Sequence, residues 1–592
     1  MTHNRRWGFG WRFGIFALIV IMAAILLNRV VAGLGAGRFD LTEDKIYSVS
    51  SVSREIMREL KVPVKVNLYI TGADKMPSQW KTLEQDVVDK LREFEVASNG
   101  MLTFAVYDPS TDPELAKKLE EKQVFPFPVQ SVTQDEFALK NVYSAIGISY
   151  LDKEEEVLPR VVPQTLGNME YELISRVYRL TLEKPPHVAL YAPLESVDPQ
   201  IAQMLAQMGR PVPPTRDDYN LLEEILGGEK YQVTRTEITQ RSPIPEEATT
   251  LVIVDPRELN ERQLYEIGRR IAGGANAVIA AQKRSFAYQP ARRAAAANEL
   301  ALEVTANDAE LKINDILDDY GVTIDDEILM DESHGILSIQ SEATLGGFLR
   351  VPVNTPVELP IQIQVRQEDM NEDLSITGQL SSVLYLWGSP LGVDQTRLKE
   401  NGLTSSVLMT SSSKSWLVPA RSGAFSGADF QPPAQYADKQ PLAMLLEGQF
   451  PDPFKDKPRP EWLKEQPSPT NPMPEPDMPD TPAAPLQPKP ARVLVTGCAR
   501  MWSNNGVQVG SNALFFLNAV DGLTLGDRLI FIRSKVATER SVKEVSSAMI
   551  AVSKFLVTFL IPILLIAFGI ARFLWRRRDA ERYLRGLEPA AS

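Results

Sequence analysis

Apolar residues fall along this chain in two unbroken runs near its ends and in shorter, punctuated groups between them. The first run is Phe13–Leu27, continuing past Asn28 and Arg29 to Leu34, with Arg5, Arg6 and Arg12 ahead of it. The second is Phe555–Ala571, extended upstream by Ser547–Val552 and followed by Arg572, Arg576, Arg577 and Arg578. At about 1.5 Å per residue, about 17–25 residues cover a hydrocarbon core of about 30 Å, so each run predicts a transmembrane helix. Lys554 can snorkel to the interface, and Pro562 costs less in such a helix than in water. Arginine flanks stay on the cytoplasmic side. Both termini are therefore expected in the cytoplasm, with the bulk of the chain outside it, in the periplasm of a bacterium. A cleaved signal peptide is the other reading of the first run, because Ala32, Gly33, Gly35 and Ala36 are small. The length of the run and the lack of a clean A-x-A site favour an uncleaved anchor.

Between the anchors the pattern divides into two regions. In residues 38–182, Ser48, Ser50 and Ser51 offer an N-cap to a short helix carrying Ile56 and Leu60. A strand is predicted at Val64–Ile70, then a helix with Trp80, Leu83, Val87, Val88, Leu91 and Phe94 at helical spacing. Further strands are expected at Leu102–Tyr107, Ala145–Leu151 and Glu156–Val161, with a helix at 113–123. This β-α-β-α-β-β order is similar to a thioredoxin-like domain. Where thioredoxins carry C-x-x-C at the start of the first helix, this chain reads Gly72-Ala73-Asp74-Lys75, so no redox chemistry is expected.

Pro185-Pro186 opens the second region, residues 183–535. Strands at 187–191, 231–237, 250–254 and 277–281 alternate with helices at 217–226 and from Leu259 to Ile271, and Gly273-Gly274 ends the latter. That alternation predicts a doubly wound α/β sheet. A helix carrying Ile313, Ile316, Leu317 and Tyr320 stops at Gly321, and strands are expected at 357–365 and 382–387. Residues 431–490 are dense in proline and read as an extended insert. A strand at 492–496, a helix at 512–520 and a strand at 528–533 complete the region. The remaining segments are 1–37 and 536–592, each a membrane helix with a basic tail.

Charge and composition narrow the chemistry. The formal net charge is −13, which disfavours a nucleic-acid surface. One cysteine, Cys498, excludes an internal disulfide and a cysteine-based zinc cluster, and the three histidines, His3, His187 and His334, are far apart. Cys498 follows a strand, as an amidotransferase nucleophile does, but G-x-C-x-G is absent and no histidine lies downstream. A small buried hydrophobe is the better reading of it. No G-x-x-x-x-G-K-[ST] occurs, so Gly273-Gly274 and Gly346-Gly347 read as turns rather than phosphate cradles. The pairs Asp318-Asp319 and Asp325-Asp326 read as solvated turn residues. No catalytic, cofactor or metal residue is assigned.

Four stretches carry a resemblance to a known family: FDLTEDKIYSVSSVSREIMREL (39–60); VPVKVNLYI with VYDP (62–70 and 106–109); LVIVDPRELNERQLYEIGRRIAGGANAVIAA (251–281); and VLVTGCARMWSNN with NALFFLNAVDGLTLGDRLIFIRSK (493–505 and 512–535). In these the chain resembles the GldG-like family, gliding-motility-type auxiliary components of ABC transporters. Members often carry Asp where this chain has Cys498, and the proline-rich insert is also a departure. The resemblance implies a glutamine-amidotransferase-like fold for 183–535, shared with a component of intraflagellar transport, and partnership with an ABC permease and a cytoplasmic ATPase. The expectation is a non-catalytic, two-pass inner-membrane auxiliary subunit without a cofactor. The alternatives are a membrane-bound hydrolase or amidotransferase-like enzyme using Cys498, and an envelope-binding protein without a transporter.

Overall fold

The computed structural model describes residues 49–132, 137–196, 215–290, 302–345, 349–463, 485–534 and 566–578, with a few isolated positions besides. The chain forms two compact units, Met1–Ala537 and Thr538–Ser592. The apolar runs expected to cross the membrane lie outside the described residues, except for the end of the second. There, 566–578 is helical and exposes Ile566, Phe568, Ile570, Phe573, Leu574 and Trp575. Among the described residues no helix is long and apolar enough to cross a membrane.

The first unit begins with α1 (Ser51–Arg58), whose N-cap Ser50 accepts a hydrogen bond from the Ser53 amide as the serine cluster predicts. Then come β1 (Val64–Ile70), α2 (Leu83–Ala97), β2 (Leu102–Tyr107), α3 (Pro113–Glu121), the hairpin β3 (Phe127–Val132) and β4 (Phe137–Val142), β5 (Ser144–Ser149), β6 (Glu156–Leu158) and α4 (Met169–Thr181). The sheet order is β2-β1-β5-β6, with β1 and β2 parallel and β5 antiparallel to both β1 and β6. Val87, Leu91 and Phe94 of α2 pack under it, as their spacing predicts. Trp80 falls outside α2, in a single 3₁₀ turn, Ser78–Trp80. The hairpin and α4 are additions to the elements that the sequence pattern predicts.

The larger α/β region is built on β7 (His187–Tyr191), α5 (Asn220–Gly228), β8 (Gln232–Arg235), β9 (Thr250–Val254), α6 (Glu261–Ala272) and β10 (Asn276–Ala280). It continues through β11 (Arg284–Pro290), β12 (Leu302–Asp308), α7 (Asn314–Tyr320), β13 (His334–Leu345), β14 (Leu349–Arg366) and β15 (Ser382–Leu386). It closes with β16 (Thr404–Thr410), β17 (Pro441–Gly448), β18 (Ala491–Thr496), α8 (Asn512–Thr524) and α9 (Arg528–Ser534). One sheet of order β8-β7-β9-β10-β18-β17-β16 organises it. The first five strands are parallel, and β17 and β16 add an antiparallel edge. Its two faces feed separate cores, Val252, Val254 and Val278 on one side and Leu251, Ile253 and Ile279 on the other. Strands buried on both faces read as continuous apolar runs, which is why TLVIV and RVLVT stand out in the sequence.

Two expectations are corrected. The stretch 431–490 is not one extended insert, because β17 lies inside it as an interior strand, its LAMLL core screened in the sequence by proline on either side. After β17 the chain is clamped to α6. Arg262, 1% exposed, donates to Pro460 O at 2.8 Å and to both carboxylate oxygens of Asp480 at 2.8 and 3.1 Å, and Trp462 covers its guanidinium at 4.2 Å. The second correction is 528–533, which is helix α9 and not a strand. Leu529 and Ile532 join the core of the smaller N-terminal α/β region, while Ile530 joins that of the larger sheet. At about 100° per residue a helix sets positions i and i+3 on one face and i+1 on another. A strand would send 530 and 532 the same way, so only the helix serves both cores.

α9 also carries the charge that joins the two regions. Arg533 pairs with the fully buried Asp521 and donates to the Tyr171 hydroxyl, whose ring lies 4.5 Å below the guanidinium. Tyr171 in turn donates to Glu229 at 2.8 Å, and Arg179 pairs with Glu229 at 2.7 Å. Burial works to raise the Glu229 carboxyl, but Arg179 and Arg533 overcome it and hold it below its ordinary range.

Candidate functional site

In a parallel sheet, ligands meet the chain where strands end at their carboxyl edge. Here β9, β10 and β18 deliver Asp255, Gln282 and Arg500 to that edge, and β11 starts there with Arg284. With Arg257, Glu258, Asn307, Asp308 and Glu310 they line a cleft of about 240 Å³. The backbone bends sharply at its rim, with Asp255 at φ 51° and Glu258 at φ 60°, values in the left-handed region. The floor is polar and buried: Asp255, Gln282 and Arg284 are each no more than 5% exposed.

Every guanidinium in the cleft is neutralised from within. Arg257 donates to Asp255 at 2.6 Å and to Glu195 at 2.7 Å. Arg500 pairs with Asp218 at 2.7 Å, and Arg284 with Asp308 at 2.8 Å and Asp326 at 3.0 Å. Burial opposes ionisation of Asp218, yet hydrogen bonds from Arg500 and Arg216 hold its carboxyl below the usual range. Tyr219 donates to Asp255 at 3.0 Å, and burial together with that carboxylate pushes the phenol well above its ordinary value.

Cys498 sits just behind the floor. It is fully buried and its thiol donates to Leu386 O at 3.3 Å. Burial pushes the thiol up to about 12, so the thiolate that attacks in nucleophilic catalysis is suppressed at neutral pH. The next two backbone amides, Ala499 and Arg500, are where such a site would hold an oxyanion. Both already donate to Gln282 Oε1, at 3.0 and 2.9 Å. His187 opens β7, at the sheet edge opposite Cys498, and pairs with Thr234 Oγ1 at 2.8 Å. His334 begins β13 and faces Asp331 O at 3.3 Å. The structure brings neither imidazole to the thiol.

The other motifs are structural. Gly273 and Gly274 end α6, and Gly274 takes φ +100°. Gly346 and Gly347 lie outside the described residues. Asp318 pairs with Arg397, and Asp319 O accepts from Asn401. Asp325 accepts from Thr323 while Asp326 holds Arg284, so the adjacent acids do not converge. No acid, histidine and cysteine group able to hold a metal occurs among the described residues. The sequence pattern misses the cleft itself. Asp255-Pro256 reads as a strand stop, and the arginines that complete the network come from points far apart in the chain.

Residues 198–519, more than half of the chain, match the family described as ABC-type uncharacterized transport system. Residues 43–149 match a domain of unknown function (DUF7088). No curated protein matches the chain. Among solved structures it is similar to the mmIFT52 N-terminal domain at 11% identity, covering 57% of this chain and 97% of that one. The TM-score there is 0.28, too low to carry an argument about fold or function.

Proposed function

The chain belongs to the ABC-type uncharacterized transport system family, and from that premise we propose that it is a non-catalytic, membrane-anchored auxiliary subunit of an ABC transporter. The family match over 198–519 carries this reading, and that span includes the whole cleft region. Auxiliary components of this kind are generally not enzymes. The buried thiol and the amides filled by Gln282 agree with a site that does no acyl transfer.

Within the family, the four sequence stretches favour the GldG-like branch. The β2-β1-β5-β6 order with a parallel first pair supports a thioredoxin-like first domain, and the five parallel strands support an amidotransferase-like second one. The arginine-flanked apolar runs, and the apolar helix 566–578 ending in Arg576–Arg578, support a two-pass anchor with both termini cytoplasmic. The large unit then lies in the periplasm, and ATP hydrolysis belongs to a cytoplasmic partner acting through a permease. Paired reporters test the topology: a fluorescent protein after Ser592 should light up in the cytoplasm, and alkaline phosphatase inserted near Ser422 should be active. The opposite pattern rejects the arrangement.

A further inference from the structure

We propose that the cleft at the carboxyl edge of the large sheet binds an alkylammonium group, carried either by a free diamine or by a lysine side chain. The parallel strands of that sheet run in the order β8-β7-β9-β10-β18. The chain therefore leaves β7 for β8 on one side and passes to β9 on the other. Where connections diverge in this way, the carboxyl ends of the two strands leave a crevice open to a ligand. Asp255 follows β9 at that crevice, and Glu195, beyond β7, reaches Arg257 at 2.7 Å.

The floor keeps one buried acceptor free. Asp255 is 3% exposed, and both of its side-chain donors, Tyr219 and Arg257, meet the same oxygen, Oδ2, at 3.0 and 2.6 Å. Among the described residues no donor meets Oδ1. A buried carboxylate oxygen without a donor is costly, and the cleft that Asp255 lines leaves room for one. The mouth carries charge of the same sign. Glu258, after β9, and Glu310, after β12, are exposed and have no cationic partner among the described residues. The arginines are already shared among acids: Arg257 serves Asp255 and Glu195, and Arg500 serves Asp218 and Glu195.

This arrangement selects the charge and the kind of ligand. An anion would have to draw a guanidinium away from a buried carboxylate and leave that carboxylate without its cation. A divalent metal ion needs several oxygens converging on one point, and no group of side chains able to hold one occurs among the described residues. No aromatic ring lines the cleft, so a flat heterocycle finds nothing to stack on. An ammonium group meets each requirement: it brings three donors, pairs with carboxylate oxygens singly, and arrives on a thin methylene chain. Ala309 and the methylene stems of Arg257 and Arg500 give that chain its apolar surface. With one ammonium on Asp255 Oδ1, the second ammonium of a diamine meets Glu258 or Glu310 at the mouth. A cleft of about 240 Å³ suits a chain of a few methylenes and shuts out a larger body.

Isothermal titration calorimetry of the full chain in mild detergent at low ionic strength tests this with two probes. Cadaverine stands for the free diamine, and a glycine-flanked lysine peptide for the side chain. At least one should bind saturably, one per chain, with Kd below about 1 mM. Tighter binding of cadaverine identifies a free diamine, and tighter binding of the peptide a lysine side chain. Pentanediol, which keeps the chain and lacks the charge, and glutarate, which reverses it, should not bind. Asp255→Asn should weaken binding at least about tenfold, as loss of a charged hydrogen-bond acceptor does. That change also touches Tyr219 and Arg257, so Glu258→Gln and Glu310→Gln, both at exposed positions, keep the test independent of folding. Each should weaken binding about threefold, and Glu400→Gln, exposed and outside the cleft, should leave it unchanged. Binding of neither probe overturns the proposal, as do equal binding of pentanediol or glutarate, unaltered affinity in both cleft glutamate variants, or an equal loss in Glu400→Gln. Binding requires only the folded chain, so these failures leave the transporter assignment standing.

Discussion

Replacing Arg533 by Met removes one cation from a site that cannot release its anion to water. Asp521 is fully buried, and among the described residues the Tyr231 hydroxyl is the side-chain donor left to it when Arg533 is gone. The same guanidinium caps Tyr171 of the smaller N-terminal region and approaches Glu229 at 4.0 Å. Breaking one side of a buried pair costs about 3–5 kcal/mol, because the remaining charge is left desolvated. At about 2.1 cal/mol/K per residue, a unit of about 350 residues shifts by about 1.3 °C per kcal/mol, which converts this to a fall of about 4–7 °C in Tm. Thermal unfolding of the full chain in detergent, followed by circular dichroism, is the assay. Combining Arg533→Met with Asp521→Asn should recover about 2 kcal/mol or more relative to the sum of the single changes, since the stranded charge is gone. A loss below about 1 kcal/mol for Arg533→Met, or strict additivity in the double mutant, refutes the reasoning.

Other outcomes follow from the same geometry. Cys498→Ala should lower stability by about 1–2 kcal/mol through a small cavity while leaving partner binding intact, and the wild-type thiol should react with maleimide only after denaturation. Arg262→Leu should release the segment clamped at Pro460 and Asp480, seen as faster chymotrypsin cleavage after Trp462; unchanged cleavage rejects the clamp. Glu229 and Asp218 have depressed folded values, so their stabilisation is present above their ordinary ranges and disappears as pH falls through the folded ones. Stability should therefore drop below about pH 4, less steeply in Glu229→Gln, and equal slopes for both proteins would exclude the pair as the cause.

Much of the scaffold is legible in the order of residues alone. Thr250–Val254 and His187–Tyr191 are strands at the expected bounds because burial on both faces leaves an unbroken apolar run, and Val64–Ile70 because its first residues alternate between buried Val64 and Val66 and the more exposed Lys65 and Asn67. Gly321, at φ +88°, ends α7 as its lack of a Cβ allows. Helix α9 reads as a strand because local alternation cannot report that Leu529 and Ile530 belong to different cores. Strand β17 is hidden by the prolines around it. The site is less legible than the fold. Cys498 stands out as a candidate, but Gln282, which fills the amides beside it, lies far upstream in the sequence and has no motif. The salt-bridge network of Arg257, Arg284 and Arg500 depends on the same long-range folding.

Affinity capture of the tagged full-length chain from membranes in mild detergent tests the central claim most directly. The account predicts that an ABC permease and its ATPase come with it in fixed proportion, and that ATP hydrolysis resides in those partners alone. Recovery of neither, from membranes in which the chain remains folded and both partners are expressed, would contradict it.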